Sequence, residues 1–355
     1  MTAGEAPRAP QEASICPSCG QPVWPGDTFC EACGAGLAAT APAVARAACS
    51  YCHTGKMGQD GYCESCGRKA PSGRDHCEAD LGLLAGVTDR GLRHIRNEDA
   101  MALAAVQAPG GATAIAVVCD GVSESARPDQ ASLTAAKTAL SVLLSAARQG
   151  ADPAVASARA IEAAQAAVAA LADGPNAPSA TFVSAVVTAG AVTVCWRGDS
   201  RAYWLDAGEL SAAQALTTDD SLAAEMVSAG LLSEAEAMAS PQAHVVTGWL
   251  GADAGEAAPH VSTFVPPGPG AVLVCSDGLW NYQPEAAKLA MRALPAALRE
   301  PLHAAQALTG FALARGGHDN VTVALVPFPP ASPAGQVRVY PDDVLDHAAV
   351  KEMGE

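Results

Sequence analysis

Two aspartates that follow buried strands and precede a glycine are the residues whose type and position are best suited to chemistry. AIAVVCDGVS places Asp120 and Gly121 after a run of apolar and β-branched residues, and GAVLVCSDGLW repeats the pattern at Asp277. A carboxylate at the end of a buried strand is held rigidly, and the neighbouring glycine exposes a carbonyl oxygen. Such oxygens are the ligands that Mg²⁺ and Mn²⁺ prefer. A single Asp-Gly corner is more commonly a turn.

Three further segments strengthen the metal interpretation, because each presents a carboxylate beside a predicted strand. They are RNEDA at 96–100, RGDSR at 197–201 and GGHDNVTV at 316–323, which contain Asp99, Asp199 and Asp319. Each segment alone is compatible with a helix cap or a turn. Together, the five segments predict that aspartates far apart in the chain gather divalent cations at one site.

A second metal-binding pattern lies in the N-terminal region, where four cysteines recur at an offset of 33 residues. Each copy is CxxC, ten residues and CxxC: the copies are Cys16, Cys19, Cys30 and Cys33, then Cys49, Cys52, Cys63 and Cys66. Four thiolates suit tetrahedral Zn²⁺. We therefore predict zinc ribbons at 14–36 and 49–69, joined by a linker at 37–48. Modules this short bury little core, so two structural zinc ions are expected to drive their folding.

The charge of the ribbons bears on their role. Residues 14–70 contain four Lys or Arg and four Asp or Glu, a balance that lacks the basic footprint of a nucleic-acid-binding module. Docking to protein is the favoured interpretation. A nucleic-acid-binding ribbon is the alternative, and it predicts salt-sensitive binding of DNA or RNA by residues 1–75.

The whole chain is acidic and half apolar. Its 355 residues carry a formal net charge of −16, which disfavours nonspecific binding to nucleic acid or anionic membrane. No signal-peptide core is present, and no window reaches the roughly 20 apolar residues that span a bilayer. We predict a cytoplasmic protein with no membrane partner.

The pattern of elements predicts one large domain at 80–328, after a linker at 70–79 and before an acidic tail at 329–355. Long Ala-rich helices are predicted at 129–149 and 152–173, and further helical regions at 219–238 and 284–314. Ser233 and Glu236 form a capping-box pattern. The predicted strands are rich in Val, Ala, Thr and aromatic residues: ATAIAVVCDG, ATFVSAVVTAG, AVTVCWRGD, SRAYWLDAG, GAVLVCSDG and NVTVALVPF.

Six segments of this domain, taken in order, resemble the metal-dependent protein phosphatases, the type 2C Ser/Thr phosphatases and their bacterial relatives. They are TDRGLRHIRNEDA, VVCDGVS, SATFVSAVV, WRGDSRAYWL, LVCSDGLW and GGHDNVTVALV, and they cover about 80–328. The resemblance implies an α+β fold, the αββα sandwich, in which two mainly antiparallel sheets are flanked by helices. It also implies a binuclear metal site, occupied by Mn²⁺ or Mg²⁺, at one end of the sandwich.

The resemblance implies a role for most of the acidic positions. Asp120 would bridge two ions, one of which also binds the carbonyl oxygen of Gly121. Asp277 and Asp319 would complete the protein ligands of the second ion, and Asn320 would orient Asp319.

Three positions complete the implied site. Asp99 would act mainly through metal-bound waters, and Asp199 matches a position that helps to hold a more weakly bound third ion in bacterial relatives. Many relatives carry an arginine, which grips the substrate phosphate, where this chain has His94. A histidine offers one donor and a partial charge, so weaker or pH-dependent phosphate binding is expected. Arg93 and Arg96 flank His94 and are alternative phosphate ligands.

The function implied by the resemblance is hydrolysis of phosphoserine and phosphothreonine in proteins. A hydroxide bridging the two ions would attack phosphorus, with Asp120, Asp277 and His94 as catalytic residues. A Ser/Thr kinase is the natural counterpart. The alternative is a noncatalytic phosphoprotein sensor or scaffold with the same fold.

Overall fold

The computed structural model describes most of the large domain and a part of the N-terminal region. The described residues are 14–16, 18–23, 30, 32–33, 56, 58, 62–65, 73–233, 236–237, 239–240, 242, 245–255, 258–333 and 337–344. The chain divides into two compact units, Met1–Ala70 and Pro71–Glu355. Across these ranges, no helix has the length and apolar character that crossing a membrane requires.

In the smaller unit, a hairpin surrounds the first cysteine pair. Strands β1 (Ser14–Ile15) and β2 (Pro22–Val23) are antiparallel. The turn between them is closed by hydrogen bonds from the Cys16 amide to the Gln21 carbonyl, 2.8 Å, and from the Gly20 amide to the Cys16 carbonyl, 2.9 Å. This tight turn brings both cysteines of CxxC to one side of the hairpin.

The larger unit is built on two six-stranded sheets. Its described strands are β3 (His76–Asp80), β4 (Ala85–Asp89), β5 (Ala100–Ala108), β6 (Gly111–Cys119), β7 (Ser179–Ala180), β8 (Phe182–Val187), β9 (Val192–Arg197), β10 (Arg201–Asp206), β11 (Gln214–Ala215), β12 (Leu250–Gly251), β13 (His260–Phe264), β14 (Gly270–Cys275), β15 (Val321–Phe328) and β16 (Arg338–Tyr340). Sheet 1 has the order β11-β10-β14-β15-β4-β3, and sheet 2 has the order β13-β9-β8-β6-β5-β16. Neighbouring strands in both sheets are antiparallel.

Helices cover the outer faces of both sheets. The described α-helices are α1 (Pro128–Arg148), α2 (Pro153–Ala169), α3 (Leu222–Ser228), α4 (Asp277–Trp280), α5 (Ala286–Ala297) and α6 (Pro301–Ala314). Helices α1 and α2 pack on sheet 2, whereas α5 and α6 pack on sheet 1. The predicted α+β class and αββα sandwich are therefore confirmed.

Three apolar layers hold the sandwich together. Along β5, Ala102 and Ala104 pack under the helices of sheet 2, while Leu103 and Ala105 face the layer between the sheets. This alternation is the two-residue period of a strand that is buried on both faces. The third layer lies between sheet 1 and its helices and includes Leu308. The two sheets therefore present their strand ends side by side.

The two long helices lie where the sequence predicts them. Proline occupies the first turn of each helix, and the Asp152 side chain caps α2 by accepting hydrogen bonds from the amides of Ala154 and Val155. Gly150, with φ of 70°, lies two residues after α1, as expected for a helix stop. Helix α2 ends at Ala169, four residues before the predicted end.

The other two helical predictions were partly wrong. The region 284–314 contains two helices, because Pro301 begins a new helix and disfavours helical geometry in the residue before it. Within 219–238, the described helical residues are those of α3 and the pair Glu236 and Ala237, and a turn at 229–232 interrupts the predicted helix. The predicted capping box does form. The Ser233 amide donates to Glu236 Oε2 at 2.9 Å, and the Glu236 amide donates to Ser233 Oγ at 3.4 Å.

The six predicted strands are all present, but the two large sheets contain six other described strands that were not predicted. Strand β3 lies partly inside the predicted linker at 70–79, and β16 lies inside the predicted tail at 329–355. Strand β3, with sequence HCEAD, is polar because it forms a sheet edge. The folded sandwich therefore extends beyond 80–328 on both sides.

Candidate active site

The strand register brings the five aspartate-containing segments to one end of the sandwich. Ala100 pairs with Cys119, so Asp99 and Asp120 lie next to each other at the ends of β5 and β6. In sheet 1, Cys275 pairs with both Arg201 and Val323. The segments containing Asp199, Asp277 and Asp319 therefore meet at the same end of the neighbouring sheet.

Asp99 is 1% exposed, and its two carboxylate oxygens have different surroundings. Its Oδ2 accepts hydrogen bonds from the hydroxyls of Ser276 and Thr322, each at 2.7 Å. Its Oδ1 is buried without a hydrogen-bond donor. A buried carboxylate oxygen without a partner is costly, and this one is suited to a cation or to a water bound to a cation.

Asp120 and Gly121 are fixed through their backbones. The Asp120 amide donates to Thr181 Oγ1 at 3.2 Å, and the Asp120 carbonyl accepts from the Thr181 amide at 2.7 Å. A methyl group on Gly121 would lie 2.5 Å from the Pro128 carbonyl oxygen and 2.8 Å from that of Glu98. This glycine is required because three segments of backbone converge behind the site.

Asp277 begins the short helix α4 directly after β14. Asn281 Nδ2 donates to its Oδ2 at 3.0 Å, and its Oδ1 is a second buried oxygen without a donor. A methyl group on Gly278 would lie 1.9 Å from the Asn320 carbonyl oxygen. The Asp-Gly pattern at this corner therefore allows α4 to pack directly against the backbone that carries Asp319, a reason for the glycine that the local sequence does not show.

Asp199 is 4% exposed and is held in the loop between β9 and β10. Its carbonyl oxygen accepts from Trp280 Nε1 at 2.9 Å. Arg201 stacks over the Trp280 ring, with its guanidinium carbon 3.6 Å from the ring centroid, and forms two hydrogen bonds with Asp219. Because this arginine is paired with Asp219, it does not neutralise the Asp199 carboxylate completely.

The aspartates concentrate negative charge at a largely buried place, and this raises their pKa values. Burial, with repulsion from Asp99, Asp277, Asp319 and Asp199, raises the pKa of Asp120 well above its usual range. The pKa of Asp277 is raised in the same way, first by burial and then by its aspartate neighbours. For both side chains burial is the larger cause, and repulsion between the carboxylates adds to it.

Burial also raises the pKa values of Asp99 and Asp199, the two aspartates of the site with the least exposed side chains. Burial raises the pKa of Asp99 to about 6, against hydrogen bonds from Thr322 and Ser276 that lower it. Burial, then repulsion from Asp219, raises the pKa of Asp199 to about 7. A divalent cation would relieve this repulsion, and with the two unpartnered oxygens this makes the aspartates a chemically suitable site for Mg²⁺ or Mn²⁺.

Distances within the group are uneven. Asp120 lies close enough to Asp99 and Asp277 for their negative charges to raise its pKa. Asp319 is more exposed, at 40% of its side chain, and its Oδ1 lies 3.1 Å from His94 Nε2. Among the residues that the structure describes, no three of these carboxylates bring oxygens within 4.8 Å of one another. The group therefore has a close part around Asp120 and an outer part at Asp319.

His94 belongs to a loop, residues 90–98, that Asn320 holds in place. Asn320 Nδ2 donates to the carbonyls of Arg90, 2.7 Å, and Arg96, 3.1 Å, while its Oδ1 accepts from the Glu98 amide at 2.7 Å. The amide of Asn320, and not its side chain, donates to Asp319 Oδ1. Asn320 thus contacts Asp319 through its backbone amide, while its side chain fixes the loop that carries His94; the orienting role that the resemblance implies stays a prediction.

The two arginines that flank His94 have different surroundings. Arg96 Nε lies 3.0 Å from Glu98 Oε1, and its guanidinium lies 3.6 Å from an Asp129 oxygen. Arg93 is exposed. Of the two alternative phosphate ligands, Arg96 is therefore already engaged with carboxylates.

The first set of four cysteines forms a compact group in the smaller unit. Their Sγ atoms all lie within 4.8 Å of one another, with Cys16 and Cys33 3.9 Å apart and Cys19 and Cys30 3.6 Å apart. Tetrahedral Zn²⁺ with bonds of about 2.3 Å requires sulfur atoms about 3.8 Å apart. The geometry therefore suits zinc.

The second predicted set lies mostly outside the described residues, because Cys49, Cys52 and Cys66 are not among them. Cys63 is described and buried, and its Sγ accepts from the Ser65 amide at 3.4 Å. The second zinc site therefore stays a prediction.

Residues 90–309 match the sequence profile of protein phosphatase 2C. The chain belongs to this family. Residues 16–79 match the double zinc ribbon profile. The Listeria welshimeri serine/threonine phosphatase stp is 34% identical over 153 residues, which is 42% of this chain and 57% of that protein. The chain thus spans little more than half the length of the curated relatives it matches.

Solved structures of 2C phosphatases are similar to the sandwich over nearly their whole length. The S. agalactiae serine/threonine phosphatase is 25% identical, with a TM-score of 0.56, and the match covers 68% of this chain and 98% of that one. The Mycobacterium smegmatis Ser-Thr phosphatase, in complex with cacodylate, is 28% identical, with a TM-score of 0.54 and coverage of 68% and 97%. The catalytic domain of PstP, in complex with two manganese ions, is 25% identical, with a TM-score of 0.55 and coverage of 69% and 97%.

Several polar residues of this 2C phosphatase site were not found from the sequence. Ser276 and Thr322 bind Asp99, and Thr181 binds the backbone of Asp120. One signal was available for Thr322: it is the single polar residue in VTVALV, on a strand whose other residues are apolar. A hydroxyl at an inward-facing position of such a strand needs a partner, and here the partner is a carboxylate.

Proposed function

We propose that the chain is a metal-dependent phosphoprotein phosphatase that hydrolyses phosphoserine and phosphothreonine. One observation carries the proposal: five aspartates from separate strand ends meet at one end of the sandwich. Burial and mutual repulsion raise the pKa values of four of them, Asp99, Asp120, Asp199 and Asp277, and two of their buried oxygens have no hydrogen-bond partner. Family membership supports the same activity. The likeness to a phosphatase domain that binds two manganese ions supports the choice of metal.

The residues proposed to hold two Mn²⁺ or Mg²⁺ ions are Asp120, the Gly121 carbonyl, Asp277 and Asp319, with Asp99 acting through water and Asp199 toward a third ion. When bound, the ions supply an activated water at neutral pH and offset the charge of the phosphoryl oxygens. The aspartates fix the positions of the ions, and their packing on strand ends limits rearrangement during the reaction.

A protein nucleophile is not needed in this proposal. The thiols nearest the aspartates are Cys119 and Cys275, both fully buried in strands. Burial raises the pKa of each thiol above its usual value, so neither is a ready thiolate. This supports direct attack by water rather than a covalent phosphocysteine.

His94 is the proposed contact to the substrate phosphate. It is half-buried at the outer part of the site, and its Nε2 lies 3.1 Å from Asp319. A phosphate that accepts a hydrogen bond from His94 therefore competes with Asp319 for the same nitrogen. Binding of an ion by Asp319 would weaken that competition, so metal and phosphate are expected to favour each other.

The test is hydrolysis of p-nitrophenyl phosphate and of a phosphothreonine peptide by the full chain with Mn²⁺ or with EDTA. We expect activity only with metal, and a loss of at least 100-fold in Asp120→Ala and Asp277→Ala. Asp173→Ala is the matched control, because that carboxylate is 74% exposed and pairs with Arg127 at the surface, away from the aspartate site. Full activity in EDTA would reject the proposal.

The alternative, a noncatalytic sensor or scaffold, is separated by calorimetry. If the chain bound Mn²⁺ and the phosphopeptide without releasing phosphate, the result would favour the scaffold function over the enzymatic one. The distinguishing feature on the structure is His94, since a histidine gives less charge to the phosphate than an arginine does.

The cellular setting is part of the same proposal. We infer a cytoplasmic protein whose substrates are products of a Ser/Thr kinase and whose two zinc ribbons dock protein partners. Elemental analysis of the purified full chain is expected to give two zinc ions per chain. Salt-sensitive binding of DNA or RNA by the full chain, absent after zinc removal, would instead indicate a nucleic-acid role for the ribbons.

A further inference from the structure

A buried row of hydroxyls joins three strands of sheet 1 to Asp99. Thr88 Oγ1, on β4, lies 2.7 Å from Thr322 Oγ1, on β15, and Thr322 Oγ1 lies 2.7 Å from Asp99 Oδ2. Ser276 Oγ, after β14, lies 2.7 Å from the same oxygen. Thr88 is 5% exposed, and Thr322 and Ser276 are 0% exposed. The row is therefore shielded from water.

Donor and acceptor counting sets the direction of every proton in this row. An ionised Asp99 only accepts, so Thr322 and Ser276 both donate to Oδ2. The Ser276 oxygen accepts from the Thr322 amide at 3.0 Å. Thr322 has used its proton on Asp99, so Thr88 must donate to Thr322, and Asn97 Nδ2 donates to Thr88 Oγ1 at 2.8 Å.

The row also connects back to Asp99 through the chain. Asn97 Oδ1 accepts from the Asp99 amide at 3.2 Å, so the same amide side chain that starts the row also holds the backbone of the carboxylate. Every hydroxyl in the row is both donor and acceptor. The arrangement has one proton direction and therefore one orientation of the Asp99 carboxylate.

We propose that Thr322 and Ser276 are positioning residues for metal binding. By holding Oδ2 with two donated hydrogen bonds, they keep Oδ1 of Asp99 directed to the Asp120 side of the site, where the first ion would bind. This inference rests on the proposed function for the identity of the ion. Residues that orient a ligand in this way commonly change metal affinity by about 10- to 100-fold when they are mutated.

The experiment is calorimetric titration of the metal-stripped full chain with Mn²⁺. We expect Thr322→Val, which keeps the shape and removes the hydroxyl, to raise the Kd at least 10-fold. Thr322→Ser, which restores the donor, should return the Kd to within about threefold of the original chain. Ser276→Ala should also raise the Kd. Circular dichroism of each metal-stripped variant reports whether the fold is kept.

Two buried hydroxyls of the same protein give matched controls. Thr309 Oγ1 and Ser184 Oγ are buried without hydrogen-bond partners, and both lie outside the row. Thr309→Val and Ser184→Ala make the same chemical changes as the test variants and should leave the Kd unchanged within twofold.

The outcomes separate this inference from the proposed function. A folded Thr322→Val chain whose Kd stays within twofold of the original would overturn the inference, as would a Thr322→Ser chain no better than Thr322→Val. Failure of the original chain to bind Mn²⁺ at all would overturn it too. If Mn²⁺ binds but no phosphoester is hydrolysed, the proposed function fails while the Kd comparison still decides the role of the hydroxyls.

Discussion

Replacing Asp199 with asparagine should stabilise the metal-free protein. Asp199 is 4% exposed, and burial and repulsion from Asp219 raise its pKa from 3.8 to about 7. Such a shift corresponds to about 4 kcal/mol of unfavourable free energy when the folded chain holds the ionised form. Asparagine keeps the shape and removes the charge, but it loses some contacts of the carboxylate. We therefore expect a net gain of roughly 2 kcal/mol at pH 7.5.

The pH dependence of this gain follows from the direction of the shift. Below the unfolded pKa, Asp199 is protonated in both states, so the asparagine variant has no advantage. As pH rises toward the folded pKa of about 7, the unfolded chain loses its proton first and the original protein loses stability. The advantage of Asp199→Asn should therefore grow from pH 4 to pH 7 and stay constant above it.

The assay is thermal unfolding of the full chain in EDTA at several pH values, with Asp173→Asn as the exposed control. A gain of roughly 2 kcal/mol corresponds to a rise in Tm of roughly 5 °C for a unit of this size. Saturating Mn²⁺ should reduce or reverse the difference, because bound ions stabilise the original chain. A variant that is less stable than the original in EDTA, or an advantage independent of pH between 4 and 8, would refute the electrostatic reasoning.

Two further predictions follow from neighbouring residues. His94→Arg should lower KM for a phosphopeptide about 10-fold and flatten its pH dependence between 6 and 8, because arginine supplies a permanent bidentate charge; an unchanged KM would show that His94 does not contact phosphate. Burial lowers the pKa of His76, but hydrogen bonds to Asp89 and Glu78 outweigh it and raise the pKa overall. Its stabilising effect is complete below the unfolded pKa of about 6.5 and is lost as pH rises through the folded value. His76→Asn should therefore cost more Tm at pH 5.5 than at pH 8.5, and equal losses at both values would contradict this.

The strands that were predicted are those in which composition and burial agree. Strands β6, β8, β14 and β15 contain several valines and are almost entirely buried, so a run of apolar and β-branched residues marks them clearly. Strand β5, with sequence AMALAAVQA, was missed because alanine favours helix, and only pairing with β6 makes it a strand. Tertiary pairing is not visible in the local sequence.

In the site, too, the local sequence identifies the residues, whereas strand pairing sets the distances between them. Asp120 and Asp277 could be singled out because a carboxylate after an apolar run is unusual, and Asp99, Asp199 and Asp319 because each lies beside a predicted strand. The order of the five segments also resembles a known family. Their mutual distances depend on the register between strands, such as Cys275 opposite both Arg201 and Val323, and no local pattern specifies this register. The hydroxyls that bind Asp99 were missed for the same reason, since Thr88 and Thr322 are 234 residues apart in the chain.

Strand β16 sets a practical boundary for anyone who shortens this chain. It covers the outer edge of β5, and Val339 and Val344 insert beneath α1, where Lys137 pairs with Asp343. A version that stops at residue 328 would expose the backbone donors and acceptors along the edge of β5, which favours aggregation through strand pairing between copies. It would also leave a cavity below α1. Recombinant protein intended for kinetic work should keep the chain through at least residue 344.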